Sequence, residues 1–566
     1  MSEFNQASFS GGMNLLVDDT RLGPNEYREA FNVRNRFDVL GAINEATEDV
    51  IAPAGLKQGL YSFGDYLIAF VAGNAYYRFR SATGWQQIDG FSMNPTVSRY
   101  YVAVVPVSTT NYGRLGVEDG GGTLRPNSGI NLANIASAIA GLPGLLVQDG
   151  INQAQFIYID TDLVVKCRTT KKFSEWFWSD TVDSREYVPV GTFMEWVDGI
   201  LYIVSPSFNE IYRSVSGRPL DFVVNVKSDG TAGGDATTTS YSVGLGGISC
   251  IKALNSGGLF VCASGTCFLV TPNRTPNAPT LFAEPTFIRQ FLFTSKCLSD
   301  KVIIDLLGDT AFIDPEGLRS FNAVLQLQNE GRNNVFSLKV ASLFNGLLQN
   351  AETTAATTFD NYALFGVNTV YGYVIVVYDT LNECFCGMDT IVGSYVKQFA
   401  KIETDVTEIY CITGDDKMLK LYSSATPAKA TVRLQGMCAS AASQTGAVVQ
   451  TPTKECQLTK FRCVLSGYRQ NSTITVSPFV NNCWTGVTSN RSISYKTPVN
   501  AYGGSPSFAD IGSNVTNELF TFANCMQGWK AFILLSWTGG GYITNVQAEL
   551  KDLTPMQPLR SQPISV

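Results

Sequence analysis

Histidine is absent from this chain of 566 residues. It is the commonest general base near neutral pH and the commonest metal ligand in proteins. Its absence excludes Ser-His-Asp and Cys-His catalysis and leaves carboxylate-pair and lysine chemistry. No carboxylate pair in the sequence comes with partners that would converge on a substrate. We therefore expect that the protein is not an enzyme and has no catalytic residue, metal or cofactor.

Charged residues are scarce as well, at 16% of the chain, and the net charge is −7. Proteins that hold nucleic acid tightly usually have a basic balance, because the release of counterions from phosphates drives their affinity. The mild acidity disfavours tight DNA binding and suits a conduit, although ordinary soluble proteins are often acidic too. A hydrophobic fraction of 45% excludes global disorder. The length suits about three to four domains.

Long apolar segments are also missing. The longest stretches, such as Tyr371 to Tyr378, are too short to span a bilayer. The N-terminal sequence MSEFNQASFSGGMNLL has no basic segment followed by an apolar run, so we expect no signal peptide and no membrane insertion.

The chain contains 13 cysteines, an odd number. Cys384 and Cys386 form a C-x-C pair, and four residues separate Cys262 from Cys267. Neither pair is joined by a second pair at zinc-ribbon spacing. We predict reduced, mostly buried thiols and assembly in a reducing cytoplasm.

Short apolar strands separated by Gly, Asp or Asn turns dominate the chain. The segment from Gly59 to Gly73 predicts a strand, a Gly-Asp turn and a second strand. Similar units recur at Glu195–Val204, Ile251–Val270, Asp300–Phe321 and Val370–Met388. One such sheet has too little core to stand alone, and a radial array of sheets, a β-propeller, buries each sheet against its neighbours. Any antiparallel β domain shows hairpins at this spacing, so periodicity alone leaves other architectures open.

The fold class we predict is mainly β: a propeller with a small inserted α+β domain and a C-terminal sandwich or barrel. The insertion is predicted because apolar spacing over 130–148 favours a helix ending at Pro143-Gly144. The predicted parts are an N-terminal segment (1–50) packing on the propeller, the first blade or blades (51–94), the inserted α+β domain (95–185), the remaining blades (186–428), a C-terminal β domain (429–553) and an extended tail (554–566).

Three charged residues near the N-terminus are candidates for a contact. Arg34 and Arg36 follow Glu26 and Glu29 closely. A structural pairing across a turn is one interpretation. A contact of Arg34, Arg36 and Glu26 with a neighbouring subunit is the other.

Four patches of sequence resemble one protein family, the tail nozzle proteins (tail tubular protein B) of short-tailed bacteriophages. The first resembles that family's opening pattern F-x-G-G-[LMV]-N, followed by "L…NE…A.N" and an Arg-bearing stretch. In this chain it consists of Phe9-Ser10-Gly11-Gly12-Met13-Asn14, Leu22-Gly23-Pro24-Asn25-Glu26-Tyr27 and Ala30-Phe31-Asn32-Val33-Arg34. The others are Tyr212-Arg213-Ser214 with Gly217 to Phe222, Gly308-Asp309 to Phe312 with Gly317 to Phe321, and Val376 to Leu381. Phe385 stands where the family usually has Trp, and no patch falls in the predicted insertion or the C-terminal region.

The resemblance implies a structural virion protein that forms a homo-hexameric tube below the portal and adaptor rings. Such a tube closes the channel over the packaged genome and conducts double-stranded DNA at ejection without reading its sequence. It implies further partners, the adaptor (head-to-tail connector) protein and tail fibres or spikes. The implied location is the virion tail, after synthesis and assembly in the host bacterial cytoplasm.

Two other functions stay open on the sequence. A β-rich receptor-binding or adhesion protein of the virion would suit the Asn/Ser/Thr-rich C-terminal region, and such proteins are commonly trimers. A β-propeller hydrolase would need a convergent carboxylate set.

Overall fold

We describe the protein from a computed structural model. The residues described are 2–106, 143–159, 164–170, 188–214, 219–220, 222, 241–242, 247–254, 257–272, 287–306, 308–321, 337–344, 349–403, 407–438, 455–469, 471–481, 483–484, 488–494, 515–522 and 527–553.

Residues 2–48 contain short strands, several of which join other parts of the chain. They are β1 (Ser2–Gln6), β2 (Gly12–Met13), β3 (Glu26–Tyr27), β4 (Glu29–Phe31), β5 (Val33–Arg34), β6 (Leu40–Ala42) and β7 (Thr47–Glu48). Short 3-10 helices cover Asp19–Arg21, Arg36–Asp38, Asp300–Val302 and Leu338–Phe344.

Within the described residues, seven small antiparallel units follow one another along the chain. The first three contain β8 (Lys57–Phe63), β9 (Tyr66–Val71), β10 (Asn74–Phe79) and β11 (Gln86–Gln87); β12 (Tyr101–Pro106), β13 (Pro143–Gln148), β14 (Gln155–Ile159) and β15 (Val165–Thr169); and β16 (Met194–Val197), β17 (Ile200–Val204), β18 (Glu210–Arg213) and β19 (Tyr241–Ser242).

The remaining four units complete the series. They contain β20 (Ile248–Ala253), β21 (Leu259–Ala263), β22 (Thr266–Pro272) and β23 (Phe287–Thr294); β24 (Ile303–Leu306), β25 (Asp309–Asp314) and β26 (Gly317–Ser320); β27 (Ala355–Phe359), β28 (Tyr362–Thr369), β29 (Gly372–Asp379) and β30 (Cys384–Asp389); and β31 (Val396–Glu403), β32 (Thr407–Thr413) and β33 (Met418–Lys420).

The units close into a seven-bladed β-propeller. The first strand of a blade lies against the first strand of a neighbour, as β12 does against β16, β27 against β31, and β31 against β8. Separate hydrophobic clusters fill the contacts between blades; Leu201 and Ile203 of the third blade, for example, pack with Phe156 of the second. Strand β7 pairs with β33, so the N-terminal segment supplies the outer strand of the last blade. The predicted β-propeller is confirmed.

Local sequence explains the blade hairpins. Both faces of a blade are covered by its neighbours, so a strand in the middle of a blade can be apolar on both faces, and all five residues of β17 (ILYIV) are buried. Asp198-Gly199 and Ser264-Gly265 link adjacent strands with positive φ at both residues. Two-residue turns of this kind match the twist of antiparallel strands.

Strands from the C-terminal region form a sandwich with N-terminal strands. They are β34 (Ala430–Arg433), β35 (Cys456–Ser466), β36 (Ser472–Val480), β37 (Cys483–Trp484), β38 (Ser489–Ile493), β39 (Val515–Thr521), β40 (Ala531–Trp537) and β41 (Tyr542–Asp552). One sheet has the order β39-β35-β41-β6-β5, with β1 also on β41, and the other contains β34-β40-β36. Alternate residues such as Phe461, Val476 and Leu535 share one core between the sheets.

The predicted α+β insertion is corrected for the residues that are described. Pro143–Gln148 is strand β13, where we predicted the end of a helix, and β12 to β15 make the second blade. The apolar run LLV is short, and such a run does not separate a buried strand from a helix by spacing alone. The rest of that prediction, from 130 to 142, lies outside the described residues, as does the tail from 554.

Candidate functional site

The N-terminal segment joins the propeller to the sandwich through a continuous sheet. Strand β4 pairs with the outer strand β30 of the sixth blade on one side and with β34 of the sandwich on the other. Phe31 is the residue of β4 that faces Met388 on one side and Thr431 on the other. We call the contacts of residues 9–36 with the propeller and the sandwich the junction.

Glycine is required where the segment crosses the sixth blade. Gly12 has a φ of +74°, a conformation that L side chains rarely adopt. A Cβ there would lie 2.7 Å from the carbonyl oxygen of Phe385 and 2.8 Å from Sγ of Cys384. Asn35 donates from Nδ2 to the Phe9 carbonyl (3.0 Å) and holds the two ends of the segment together. The Gly-Gly sequence thus permits a close backbone approach.

Glu26 organises the turn that enters β3. Its Oε2 accepts hydrogen bonds from Nδ2 of Asn14 (2.9 Å) and from the backbone N–H of Gly23 (2.8 Å). Its Oε1 accepts from Nζ of Lys339 (2.7 Å). Burial by itself raises the pKa of Glu26, but the Lys339, Gly23 and Asn14 donors outweigh it and lower the pKa below the usual value.

Arg34 forms a two-pronged ion pair with Asp389 at the end of β30. Its Nη1 and Nη2 lie 2.8 and 2.6 Å from the two carboxylate oxygens. Tyr422 donates its hydroxyl to the same carboxylate (2.7 Å), and the Asp389 side chain is fully buried. The guanidinium also lies 5.2 Å from the ring centres of Tyr362 and Tyr422. Burial alone lowers the pKa of Arg34, but Asp389 and Tyr422 hold it well above its usual value.

Arg36 reaches the same blade by another route. It lies over the Tyr362 ring, 3.9 Å from the ring centre, and its nitrogens are 3.3 Å from Asp360 and 3.6 Å from Asp379. On the sandwich side, Asp19 pairs with Arg433 of β34. Charged groups therefore connect the segment to both of its neighbours.

The three predicted contact residues thus lie together in the junction, with partners in their own chain. Arg34 and Arg36 pair with the propeller and not with Glu26 or Glu29 across a turn. Their contact with a neighbouring subunit stays a prediction. Sequence reasoning missed Asp389 because it lies 355 positions from Arg34, and no local pattern links the two.

A second feature is a polar cavity on the propeller axis. All seven blades line it, and its volume is about 180 Å³. Arg99 pairs with Asp300 across it (Nη1 to Oδ1, 2.7 Å), and Lys252 pairs with Glu195 (2.7 Å). These pairs link the second blade to the fifth and the fourth to the third.

Cysteines give no sign of crosslinks or metal binding in the described part of the chain. The eleven cysteines whose side chains are described are all free and buried. Among the described residues, no group of three or more Cys, Asp or Glu is arranged to hold a metal ion. In the part of the chain that the structure describes, no helix has the length and apolar character needed to cross a membrane.

Comparison with known proteins adds similarities of overall fold. No protein-family model matches the chain, and no curated protein matches it. Among solved structures, the chain is similar to YCF48 bound to D1 peptide (7% identity, 68% of this chain and 100% of that one, TM-score 0.36). It is also similar to YCF48 from Cyanidioschyzon merolae (10%, 67% and 98%, 0.33) and to the β-propeller domain of Myceliophteria thermophila Cps50 (Swd1) (9%, 67% and 100%, 0.28). Similarities this distant carry no argument about function.

Proposed function

We propose that the chain is the tail nozzle subunit of a short-tailed bacteriophage, a structural virion protein and not an enzyme. Six copies form a ring below the portal and adaptor, close the DNA channel in the virion, and conduct the genome at ejection. The observation that carries the proposal is the place of the family-like residues in the fold. Residues of the first family-like patch, among them Gly12, Glu26 and Arg34, build much of the junction.

Several polar and glycine positions of that patch have structural tasks. Gly12 permits the close approach to Cys384 and Phe385, and Asn14 and Glu26 bond to each other. Asn32 donates to Thr390 Oγ1 and to the Lys429 carbonyl, both at 3.0 Å. The pattern that resembles the nozzle family therefore encodes the connection between propeller and sandwich. A chain that shares this pattern is expected to share the architecture.

The third patch has structural tasks too. In Gly308-Asp309 to Phe321, Phe312 is fully buried, and Arg319 pairs with Asp314 across the β25–β26 turn. Such residues preserve a blade and do not perform chemistry. This supports a structural protein built on the same plan.

A fixed junction suits a ring component. A ring is closed by heterologous contacts around a cyclic axis, so each subunit must present two surfaces at a constant angle. The ion pairs of Arg34, Arg36 and Asp19 and the shared sheet through β4 resist hinge motion between propeller and sandwich. The adaptor and the fibres or spikes would bind a subunit of constant shape.

The wall of the channel should not attract DNA. Attractive contacts to phosphates would slow a moving duplex, and the chain carries a net charge of −7. We expect Asp and Glu to outnumber Lys and Arg on the lumen of the assembled ring. A ring with a strongly basic lumen would contradict this part of the proposal.

The first test is the mass of the purified full-length protein by native mass spectrometry. The proposal predicts a hexamer, alone or after the adaptor ring is added. A stable trimer under both conditions would favour the adhesion protein. A chain that stays monomeric when the adaptor is added would contradict the nozzle proposal.

The double variant Arg34→Met with Arg36→Met tests whether these side chains also contribute to the subunit contact. Lys429→Met, which removes an exposed lysine, is the matched control.

A further inference from the structure

The cavity on the propeller axis contains more positive than negative charge. Its charged lining consists of Arg99, Lys252, Lys301, Asp300 and Glu195. Two cations are neutralised, Arg99 by Asp300 and Lys252 by Glu195. Lys301 is the remaining cation of the lining.

Lys301 has a hydrogen-bond acceptor but no counter-ion. Its Nζ donates to the backbone carbonyl of Lys397 (3.0 Å), and no carboxylate of the described residues lies within ion-pair distance of it. Nearby, Nε of Arg99 is buried and has no hydrogen-bond partner. Lys301 therefore lacks a counter-ion, and Arg99 lacks an acceptor for one N–H group. Both residues line the cavity. An anion is the group that would satisfy both.

The surroundings of Lys301 make an unpaired ammonium costly. Burial is the largest influence and lowers its pKa to about 8, with Arg99 and Lys397 acting in the same direction. Asp300 and Glu352 oppose them and do not restore the usual value. Asp300 is engaged by Arg99, and Glu352 is an exposed residue of a neighbouring hollow, so neither substitutes for a bound counter-ion.

The cavity has space for a ligand and borders a second hollow. Its volume of about 180 Å³ is several times the roughly 30 Å³ that one water occupies in the liquid. A second hollow of about 340 Å³ shares Arg99, Tyr101 and Lys301 with it. The two hollows therefore meet at the residues proposed to hold the anion.

We propose that the propeller axis binds a small oxyanion, of the size and charge of inorganic phosphate, between Lys301 and Arg99. The anion neutralises the unpaired ammonium and accepts from Nε of Arg99. It thereby links the first turn of the fifth blade to the segment that enters the second. This site does not depend on the nozzle function, because it concerns the interior of one propeller.

Thermal unfolding of the full-length protein in inorganic phosphate tests the site. Tm is compared with sodium chloride of matched ionic strength at pH 7. Binding to the native state alone should raise Tm with a saturating dependence on phosphate concentration. Lys301→Met should lose this dependence, and Lys429→Met, which removes an exposed lysine elsewhere, should retain it. An equal phosphate effect in wild type and Lys301→Met would overturn the proposal, because it would show general salting-out only.

Calorimetric titration of the wild type with phosphate tests the site without a variant that has to fold. At pH 7 the Lys301 ammonium is protonated, and heat of binding is expected. At pH 9 the ligand-free site has lost most of that charge, so the affinity should fall at least several-fold, while Arg99 stays charged throughout. No detectable heat at pH 7, or an affinity unchanged at pH 9, would contradict the assignment. Lys301→Arg, which keeps the charge, should still bind at pH 9.

Discussion

The contacts between propeller blades and the junction with the sandwich are built from different interactions. Between blades, aromatic and aliphatic side chains from both sheets interlock, as Phe70 of the first blade does with Leu145 and Ile157 of the second. In the junction, buried charges, a close glycine approach and side-chain amides hold the chain. Apolar packing tolerates exchange of similar side chains, whereas a buried ion pair fails when one partner is removed. Contacts between blades therefore depend little on which apolar side chain is present. The junction requires particular residues in a particular geometry.

Truncating an aromatic residue between blades should have the largest effect. Phe70→Ala removes a fully buried ring between the first and second blades. We expect a loss of about 3 to 5 kcal/mol, because contacts and transfer free energy are lost together. Urea unfolding measures the loss, and hydrogen exchange should locate it in the first two blades with the sandwich unaffected. Equal loss of protection in β35 and β41 would show that the two regions are one cooperative unit.

Breaking the Arg34–Asp389 pair should lower the free energy of unfolding nearly as much as Phe70→Ala does. Arg34→Met leaves the buried Asp389 carboxylate without its cation, and we expect a loss of about 3 kcal/mol. The double variant Arg34→Met with Asp389→Leu removes both charges and should lose less than the single variant. Hydrogen exchange in β4 and β30 checks the location. A double variant that is as unstable as the sum of the two single ones would mean that the two residues act independently and not as a unit.

Adding a methyl group at Gly12 should lower the free energy of unfolding by less than Arg34→Met does. It should also act at the junction. Gly12→Ala combines an unfavourable positive φ with a Cβ too close to the sixth blade, and we expect a loss of about 2 kcal/mol. Gly64→Ala is the control, since Gly64 also has a positive φ but no atom within 4 Å of the place where a Cβ would stand. It should lose about 1 kcal/mol. Equal losses in the two variants would mean that the close approach to Cys384 and Phe385 has no energetic role.

Acid should weaken the junction by a smaller amount through Glu26. Its folded pKa is lowered, so its contribution is complete above the unfolded pKa and disappears as the pH falls through the folded pKa. Relative to wild type, Glu26→Gln should therefore be less stable at pH 7 and more nearly equal below pH ~4. Urea unfolding at a series of pH values checks this. A constant difference between the two proteins at all pH values would show that Glu26 acts without its charge.

The same comparison explains how much the sequence could predict. Blade strands are local: apolar runs such as ILYIV and turns such as Asp198-Gly199 indicate hairpins without knowledge of the rest of the chain. The number of blades was not predictable, because the long segment between β12 and β13 interrupts the second blade. We predicted a helix ending at Pro143-Gly144, whereas Pro143–Gln148 is strand β13 of that blade.

The junction was beyond prediction for a different reason. Glu26, Arg34 and Arg36 stood out as charged residues near the N-terminus, but their ion-pair partners lie in the sixth blade or just before it, more than 300 positions away. Nor did any local signal show that β7 completes the last blade by pairing with β33. Only the folded chain brings these groups together. The uncompensated Lys301 in the axial cavity is likewise visible only when all seven blades are in place.

Imaging of intact virions tests the central claim most directly. We predict a six-fold ring at the base of a short tail, surrounding an axial channel. Each subunit should fit the propeller and sandwich in the relative orientation set by β4. A three-fold assembly at the end of a fibre, or no density for this chain on the tail axis, would contradict the nozzle proposal and favour an adhesion protein.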